Sequence, residues 1–393
     1  MAGSIRDQCA VIGMGCSHFG ERFDASLEDL IVEAAQEALA DAGIELKDVD
    51  AFWFGTFESG WAGDTLSTRL MTEFKPVTRL ENKCCSGTDA FRNACYAVAS
   101  GVCDIAMAIG AEKLKDGGYS GLVVPHVESD MTAPFMSTPA AFSLCASAYA
   151  HKYGLSGQKL HEVLGRISFK NHSNGALSPK AMYRKEVPME KILNMPYVAY
   201  PLTVMDCSGV SDGCSCAIIT RANVARQYRK DPMYVKALQI ASGNGRNQKS
   251  SSYDFTYVEE TLNAAREAYK EAGITNPREQ ISLAEVHDCF TITELLIYED
   301  LGFSDRGQAW KDVLDGKFDR DGKLPVNIDG GLKSFGHPIG ASGIRMIYEM
   351  WLQFHGRAGR RQRENMRLGM THNMGGRPYC CVAGITICGM DLG

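Results

Sequence analysis

The amino-acid sequence predicts a layered α/β fold built from two similar halves. Residues 33–44 and 263–274 match at seven of twelve positions, and each copy has the pattern of an amphipathic helix ending at a glycine. A strand-like segment follows each copy. Continuous apolar strands then alternate with helices, which is typical of sheets covered on both faces. Because several elements correspond in the same order, we interpret the pattern as an internal duplication.

We expect the first half to comprise residues 1–114 and 201–232. Its first helix should begin at Ser26, where Asp29 completes a capping box. The elements expected after it are a strand at Ala51–Phe54, a helix starting just after Cys84, a strand at Ile105–Ile109 and a cysteine-rich strand within residues 206–219.

We expect the second half to comprise residues 233–393. Its helix at 263–274 leads to a strand at Ile281–Val286 and then to a loop, His287–Phe290. Gly336–Gly343 should open a helix over Ile344–Phe354, so that His337 occupies the place that Cys84 holds in the first half. Residues 372–387 should form the closing strands, with a glycine turn at Thr371–Gly376.

Residues 115–200 have a different composition, rich in Met, Tyr, Pro and His, with shorter helix-like pieces such as Leu160–Phe169. We interpret them as a loop domain inserted into the first half. Inserted segments of this kind often cover a substrate pocket. A purely structural elaboration is the alternative.

The composition excludes several classes of function. No apolar run approaches the ~18 residues of a membrane span, and the N-terminus lacks the order of a secretory signal, so we expect a cytoplasmic protein. A net charge of −6 argues against a nucleic-acid or membrane partner. The 14 cysteines include no Cys-x-x-Cys pair, so we expect reduced thiols and no metal site.

Cys84 is the leading candidate for a nucleophile. A cysteine at a helix N-terminus meets the positive end of the helix dipole, which favours the thiolate. The small residues Ser86 and Gly87 leave room for backbone N–H groups to face a substrate oxygen. An ordinary buried cysteine at a helix start is the alternative.

Two downstream loops offer partners for this cysteine. His337, in a glycine-bounded turn, has a side chain able to take a thiol proton near neutral pH. His287 could donate an N–H to a developing enolate oxygen, and Cys289 is placed as a second acid or base. Asp288 either orients a neighbouring group or caps the helix starting near Thr291.

The motifs resemble those of the thiolase superfamily. The chain contains Cys84-x-Ser86-Gly87, then Gly336-His337-Pro338-x-Gly340, then His372-Asn373-x-Gly375-Gly376, in the family's order. The His287-Asp-Cys-Phe290 loop is similar to that of the sterol-carrier-type and archaeal-like branch. The resemblance implies a thiolase fold, two pseudo-symmetric α/β halves with an inserted loop domain. It also implies an oxyanion hole built by the backbone of Cys84, Gly375 and Gly376.

The activity implied is cleavage of a 3-oxoacyl-CoA by coenzyme A, which is a co-substrate rather than a tightly bound cofactor. Cys84 would attack the 3-keto carbon after His337 removes its proton, His287 would stabilise the enolate, and Cys289 would protonate it. Alternatives are the reverse, biosynthetic reaction on acetoacetyl-CoA, a ketoacyl synthase or hydroxymethylglutaryl-CoA synthase, and a silent scaffold subunit. The residues that bind the CoA nucleotide are not identified.

The expected substrate and partners follow from the same resemblance. Aromatic and Met side chains of the loop domain would line a pocket for a bulky acyl group, as in benzoylsuccinyl-CoA, although core packing is the alternative; they are Tyr119, Met131, Phe135, Met136, Phe142 and Tyr149. The resemblance implies a homodimer with a small zinc-ribbon/OB-fold accessory subunit.

Overall fold

The computed structural model describes residues 3–61, 63–117, 137–247 and 250–392. The strands in these residues are β1 (Cys9–Cys16), β2 (Ala51–Gly55), β3 (Val77–Leu80), β4 (Ile105–Glu112), β5 (Tyr197–Ala199), β6 (Leu202–Thr203), β7 (Gly213–Arg221), β8 (Met233–Ser242), β9 (Leu283–Val286), β10 (Leu368–Arg377) and β11 (Cys380–Gly389). The α-helices are α1 (Leu27–Ala42), α2 (Asp64–Leu70), α3 (Ser86–Ala99), α4 (Thr138–Tyr153), α5 (Gly157–Gly175), α6 (Met189–Leu193), α7 (Glu259–Ala272), α8 (Pro277–Gln280), α9 (Thr291–Asp300), α10 (Ala309–Leu314), α11 (Gly331–Phe335) and α12 (Ser342–Phe354).

A nine-stranded sheet runs in the order β3-β2-β4-β7-β1-β8-β11-β10-β9. Its centre is an antiparallel pairing of β1 with β8, in which Ala10 lies opposite Tyr234. Outward from this pair, each half repeats two antiparallel pairings and then a parallel one, through β7, β4 and β2 on one side and β11, β10 and β9 on the other. This repeat confirms the predicted pseudo-symmetric fold. The domain boundaries stay predictions.

The helices form layers on both sides of the strands. α1 packs on β1 and β7, while α7 packs on β8 and β11. α3 contacts β4 and β11, and α12 contacts β7 and β10, so these two helices lie between the halves. Their apolar faces share one buried cluster that includes Phe91 and Trp351. The two helices that follow Cys84 and His337 are thus both central.

The predicted helix ends of the duplicated segment are confirmed. Ser26 and Asp29 form the capping box of α1. Gly43 and Gly273 end α1 and α7 with φ of 68° and 72°, a left-handed conformation that glycine adopts without strain. The local helix chemistry therefore repeats as well as the strand order.

Residues 137–200 contain longer helices than the sequence pattern indicated. α4 has 16 residues and begins at an N-cap serine, Ser137, while α5 has 19 residues and begins at Ser156. Both pack into the core of the second half. The prediction of a glycine turn at Thr371–Gly376 is wrong, because these residues lie within β10 and pair with β11.

Two of the aromatic residues expected to line a pocket are core residues instead. Phe142 packs on Phe290 with ring centroids 4.5 Å apart. Tyr149 is buried and its hydroxyl donates to Glu299 at 2.7 Å. Tyr119, Met131, Phe135 and Met136 lie outside the described residues. No helix in the described part of the chain has the length and apolar character needed to cross a membrane.

Candidate functional site

The N-termini of α3 and α12 meet at the junction of the two halves. Their approach is so close that a Cβ on Gly87 would lie 2.4 Å from the carbonyl oxygen of Gly340, and one on Gly343 would lie 2.3 Å from Thr88 Oγ1. Distances below 3.0 Å exclude a side chain at either glycine. The glycines after Cys84 and His337 are therefore needed for the two helix starts to come together.

Cys84, His287 and His337 lie together at this junction. The Cys84 Sγ and one ring nitrogen of each histidine all lie within 4.8 Å of one another. The two imidazole rings stand nearly perpendicular, with centroids 5.4 Å apart. Three residues far apart in the sequence are thus brought into one cluster, as the motif analysis predicted; their chemical roles stay predictions.

The hydrogen bonds of His337 indicate its tautomer. Ser342 Oγ lies 3.0 Å from the carbonyl oxygen of Pro338, and we assign its single proton to that carbonyl. With this assignment, the contact of 2.7 Å between Ser342 Oγ and His337 Nδ1 is one in which the histidine N–H donates. His337 Nε2 then carries the lone pair, and it is buried without a hydrogen-bond partner among the described residues. The ring is set up as a base at Nε2.

Asn373 fixes the tautomer of His287 in the same way. Its Nδ2 donates to the carbonyl oxygen of Cys84 at 2.8 Å, which places Oδ1 towards His287 Nδ1 at 2.9 Å. Because an amide oxygen only accepts, His287 must donate from Nδ1. Asn373 therefore links the backbone of Cys84 to the His287 ring, and its own side chain is fully buried.

Both histidines are neutral at pH 7. Burial lowers the pKa of His287 to about 4. Burial, with smaller effects of His287 and Arg345, lowers the pKa of His337 well below 6.5. Each ring then has one N–H, at Nδ1, and one free lone pair, at Nε2.

The protonation state of Cys84 differs from the sequence-based expectation. The helix N-terminus was expected to favour the thiolate, but burial, and next the charge of Glu112, raises the pKa of Cys84 to about 12. The residue is partly exposed while its thiol is surrounded by protein, so desolvation outweighs the dipole. In the resting site Cys84 is a thiol that needs a base.

Cys289 lies on the second half's loop, next to the same centre. It is buried and its Sγ is 3.6 Å from Thr293 Oγ1. Burial, and next the proximity of Cys84, raises its pKa well above the ordinary value, so it holds its proton at neutral pH. A protonated thiol is the form that a proton donor requires.

Asp288 does not cap α9, although the sequence left this open as one of two roles for the residue. Its carboxylate accepts from the backbone N–H groups of Leu332 and Lys333, at 2.7 and 3.1 Å, and from Asn171 Nδ2 at 2.8 Å. A Cβ on Gly331 would lie 2.4 Å from Asp288 Oδ2. Asp288 therefore fastens the His287–Phe290 loop to α11, the helix that leads to His337.

The sequence motifs did not reveal the buried polar layer beneath this loop. Glu294 accepts from Lys170 Nζ and Asn171 Nδ2, both at 2.6 Å, and from Asn327 Nδ2 at 3.0 Å. Its position at an apolar-looking stretch of α9 gave no signal, because its partners come from residues up to 124 positions away. The network rigidly supports the loop that carries His287 and Cys289.

Gly375 lies directly against the segment that carries Cys84. A Cβ at Gly375 would lie 2.3 Å from the carbonyl oxygen of Asn82 and 3.0 Å from the Cys84 nitrogen. Gly376 follows with φ of 110°. The backbone of β10 therefore borders Cys84, the location that an oxyanion hole of Cys84, Gly375 and Gly376 requires.

A cavity of about 1070 Å³ borders the loop that carries Cys289. Cys289 and Phe290 are on its wall, together with Cys207, His172 and Lys333. The exposed basic side chains Arg184, Lys185 and Lys191 also line it. No sequence motif marked these three basic residues, since they are scattered over a loop and a short helix.

The sulfur of Cys84 and the ring nitrogens of His287 and His337 are atoms of the kind that bind metal ions, and they lie close enough together to share one. The expectation that the protein uses no metal stays a prediction.

The fold and the Cys-His-His junction define a member of the thiolase superfamily. The family described as "Thiolase, N-terminal domain" matches residues 9–195, and "Thiolase C-terminal domain-like" matches residues 241–386. An acetyl-CoA acetyltransferase of Methanothermobacter thermautotrophicus is 39% identical over 93% of this chain and 96% of its own length. The chain belongs to the thiolase family and is an acyltransferase of that family.

Other similar proteins represent the predicted branch. Sterol carrier protein 2 of Gallus gallus is 29% identical over 93% of this chain and 69% of its own length. The benzoylsuccinyl-CoA thiolase subunit BbsB of Thauera aromatica is 31% identical over 93% of this chain and 94% of its own. The solved structure "Ltp2-ChsH2(DUF35) aldolase" superposes with a TM-score of 0.85 at 25% identity, covering 100% of both chains.

Proposed function

We propose that this protein is a thiolase that cleaves a 3-oxoacyl-CoA by CoA-dependent retro-Claisen chemistry through an acyl group on Cys84. The observation that carries the proposal is the cluster at the junction of the halves, where the Cys84 thiol and a nitrogen of each of two neutral histidines lie within 4.8 Å of one another. A thiol with a raised pKa beside a free imidazole lone pair is an arrangement suited to base-assisted attack.

The first step is attack on the ketone. His337 Nε2 takes the proton of Cys84, and Sγ forms a bond to the 3-keto carbon. The tetrahedral oxyanion faces backbone N–H groups at Cys84, Gly375 and Gly376, where donors are typically worth ~3 kcal/mol each. The Nδ1–H bond to Ser342 holds the ring in the tautomer that this step requires.

The second step breaks the carbon–carbon bond. The electron pair passes to the thioester oxygen as an enolate, and Cys289 gives its proton to the enolate carbon. His287 has its single proton on Nδ1, so it can face an enolate oxygen with an N–H only after Nε2 is protonated. We propose that the proton that Cys84 gave to His337 is shared between the Nε2 atoms of the two rings. This proton supplies the Nε2–H of His287 that faces the enolate oxygen.

The third step transfers the acyl group. The Cys289 thiolate takes the proton of CoA, whose sulfur attacks the acyl carbon on Cys84. Cys84 leaves and recovers its proton from the histidine pair. One 3-oxoacyl-CoA and one CoA thus give two acyl-CoA products, and every protein group returns to its starting state. Arg184, Lys185 and Lys191 at the cavity are proposed to meet the phosphates of CoA.

The proposed substrate is an aromatic 3-oxoacyl-CoA such as benzoylsuccinyl-CoA, giving benzoyl-CoA and succinyl-CoA. The similarity to BbsB and the aromatic ring of Phe290 on the cavity wall support it. Acetoacetyl-CoA, favoured by the archaeal relative, is the alternative substrate. Comparing kcat/KM for thiolysis of benzoylsuccinyl-CoA and acetoacetyl-CoA decides between them. A cytoplasmic location stays a prediction.

The structural similarity to an aldolase favours a second candidate function, cleavage of a 3-hydroxyacyl-CoA. Such a reaction needs no CoA and no acyl group on cysteine. The Cys84→Ala variant separates the two candidates. We expect it to lose at least 1,000-fold in CoA-dependent thiolysis, while Cys103→Ala, a buried cysteine away from the junction, keeps full activity. If cleavage continues without Cys84 or without CoA, the protein is an aldolase and the thiolase proposal is wrong. A scaffold subunit would show neither thiolase nor aldolase activity.

We further propose that the chain forms a homodimer and carries a small zinc-ribbon/OB-fold subunit. The edge strand β3 and the exposed Met71 and Phe74 near it support a dimer. The names of the BbsB subunit and of the Ltp2-ChsH2(DUF35) complex support an accessory subunit. Light scattering should give the mass of two chains. Full thiolase activity of the isolated chain would count against the accessory subunit.

A further inference from the structure

Lys333 is a buried cation on the wall of the large cavity. The residue is 3% exposed, and its ammonium donates one hydrogen bond, to the carbonyl oxygen of Cys207 at 2.7 Å. Within the described residues, no carboxylate lies within ion-pair distance of its Nζ. An ammonium has three donors and is costly to bury unpaired.

The two nearby carboxylates are already committed to other donors. Asp288 accepts from two backbone N–H groups and from Asn171. Asp206 accepts from the backbone and hydroxyl of Thr203, at 2.7 and 2.8 Å, and from the hydroxyl of Thr291 at 2.6 Å. Burial lowers the pKa of Lys333, and the fields of Cys207, Asp206 and Asp288 offset this only in part. Two donors of Lys333 are therefore left for a group in the cavity.

His172 is a second polar group on the same wall. It is 4% exposed, and neither ring nitrogen has a hydrogen-bond partner among the described residues. Burial, and next the charge of Lys333, lowers its pKa to about 3, so the ring is neutral and offers one N–H donor. Buried polar groups in native proteins are almost always paired, so an unpaired ring at a cavity points to a ligand.

The location of Lys333 indicates which part of a substrate it would meet. Lys333 bonds to Cys207, and the next residue, Ser208, donates its N–H to the carbonyl oxygen of Cys289 at 2.9 Å. Cys289 is the proposed proton donor to the enolate carbon. A group held by Lys333 therefore belongs to the fragment that leaves as the enolate, rather than to the acyl group on Cys84.

We propose that Lys333 and His172 bind a carboxylate on the enolate-derived fragment, so that the substrate is a 3-oxoacyl-CoA with a carboxymethyl group at C2. This inference rests on the proposed thiolase function and specifies its substrate class. Lys333 contributes the charge and His172 an N–H. Benzoylsuccinyl-CoA has such a carboxymethyl group, and its cleavage product succinyl-CoA keeps the carboxylate.

A binding experiment tests the site without requiring turnover. Succinyl-CoA and butyryl-CoA have acyl chains of equal length and differ in a carboxylate against a methyl group. Titration calorimetry with the Cys84→Ala variant should show succinyl-CoA binding about 10- to 100-fold more tightly, the range of a charge-assisted hydrogen bond. Equal affinities would overturn the inference, whatever any further variant does.

A lysine variant locates the effect. In Cys84→Ala/Lys333→Met, the affinity ratio of succinyl-CoA to butyryl-CoA should fall below about threefold. The matched control Lys115→Met removes another lysine of the same cavity, one that already pairs with Glu21, and should leave the ratio unchanged. If the ratio survives in the Lys333 variant and falls in the Lys115 variant, the carboxylate site lies at Lys115 and the assignment is wrong.

Turnover separates this inference from the proposed function. Benzoylsuccinyl-CoA is compared with its analogue in which ethyl replaces carboxymethyl at C2. Cleavage of both at equal kcat/KM leaves the thiolase assignment intact and refutes the carboxylate site. A retained binding ratio without cleavage of either compound keeps the carboxylate site and refutes the thiolase assignment.

Discussion

Ser342→Ala tests whether the tautomer of His337 matters for catalysis. Ser342 is fully buried, and its hydroxyl receives the His337 Nδ1–H at 2.7 Å while donating to Pro338. A hydrogen bond contributes about 1 kcal/mol net, and a buried donor left unpaired costs about 1–3 kcal/mol, so we expect a stability loss of about 2 kcal/mol. Losing about 1.4 kcal/mol of preference for the productive tautomer lowers the rate about tenfold.

The assay combines steady-state thiolysis with thermal unfolding. The rate loss should appear in kcat, because Ser342 orients a base and does not line the substrate cavity. The matched control is Ser168→Ala, another fully buried serine, whose hydroxyl donates to the carbonyl oxygen of Met205 at 2.7 Å. It should lower stability by a similar amount with less than twofold change in kcat. Equal rate losses in the two variants would refute the tautomer argument.

Three further predictions concern the same centre. Asn373→Ala breaks the hydrogen bonds to His287 Nδ1 and to the Cys84 carbonyl. Two lost contacts of about 1–1.5 kcal/mol each should lower kcat about 100-fold. An unchanged kcat in a folded variant would contradict this prediction. The rate of Cys84 alkylation by iodoacetamide, followed by peptide mass spectrometry, should rise about tenfold per pH unit from pH 7 to 9. The reason is that the pKa of the Cys84 thiol is raised to about 12. A plateau in this rate below pH 8 would indicate a resting thiolate. His372 is buried with a pKa lowered to about 3, so below pH 6.5 the unfolded chain gains a proton that the folded protein does not. The stability advantage of wild type over His372→Gln in urea unfolding should therefore shrink by about 1 kcal/mol from pH 6.5 to 5.5, and a constant difference would contradict the neutral assignment.

Much of the fold was predictable because its rules are local. The capping box at Ser26 and the left-handed glycine at Gly43 are encoded within a few residues, and the duplication revealed the repeat. The strand status of Thr371–Gly376 was missed, since its glycines are conventional turn residues. They are needed instead because Gly375 packs against the Cys84 backbone.

The sequence predicted which residues form the site, but not the protonation states of their side chains. Motifs identified Cys84, His287, His337 and Cys289 as candidates. The tautomers depend on hydrogen bonds from Ser342 and from Asn373, and the raised pKa of Cys84 depends on burial by distant segments. Lys333 had no recognisable pattern. His172 belongs to the segment Asn171–Ala181, which also resembles the thiolase family, but that resemblance gave the residue no role. In both cases an unpaired buried group is visible only once its surroundings are folded.

The proposed reaction requires Cys84 to carry the acyl group. The most direct measurement is peptide mass spectrometry after mixing the protein with a 3-oxoacyl-CoA and quenching in acid before CoA is added. We expect the acyl mass on the peptide that contains Cys84, and its loss when CoA is supplied. Substrate cleavage with no adduct, or with the adduct on Cys289, would contradict it.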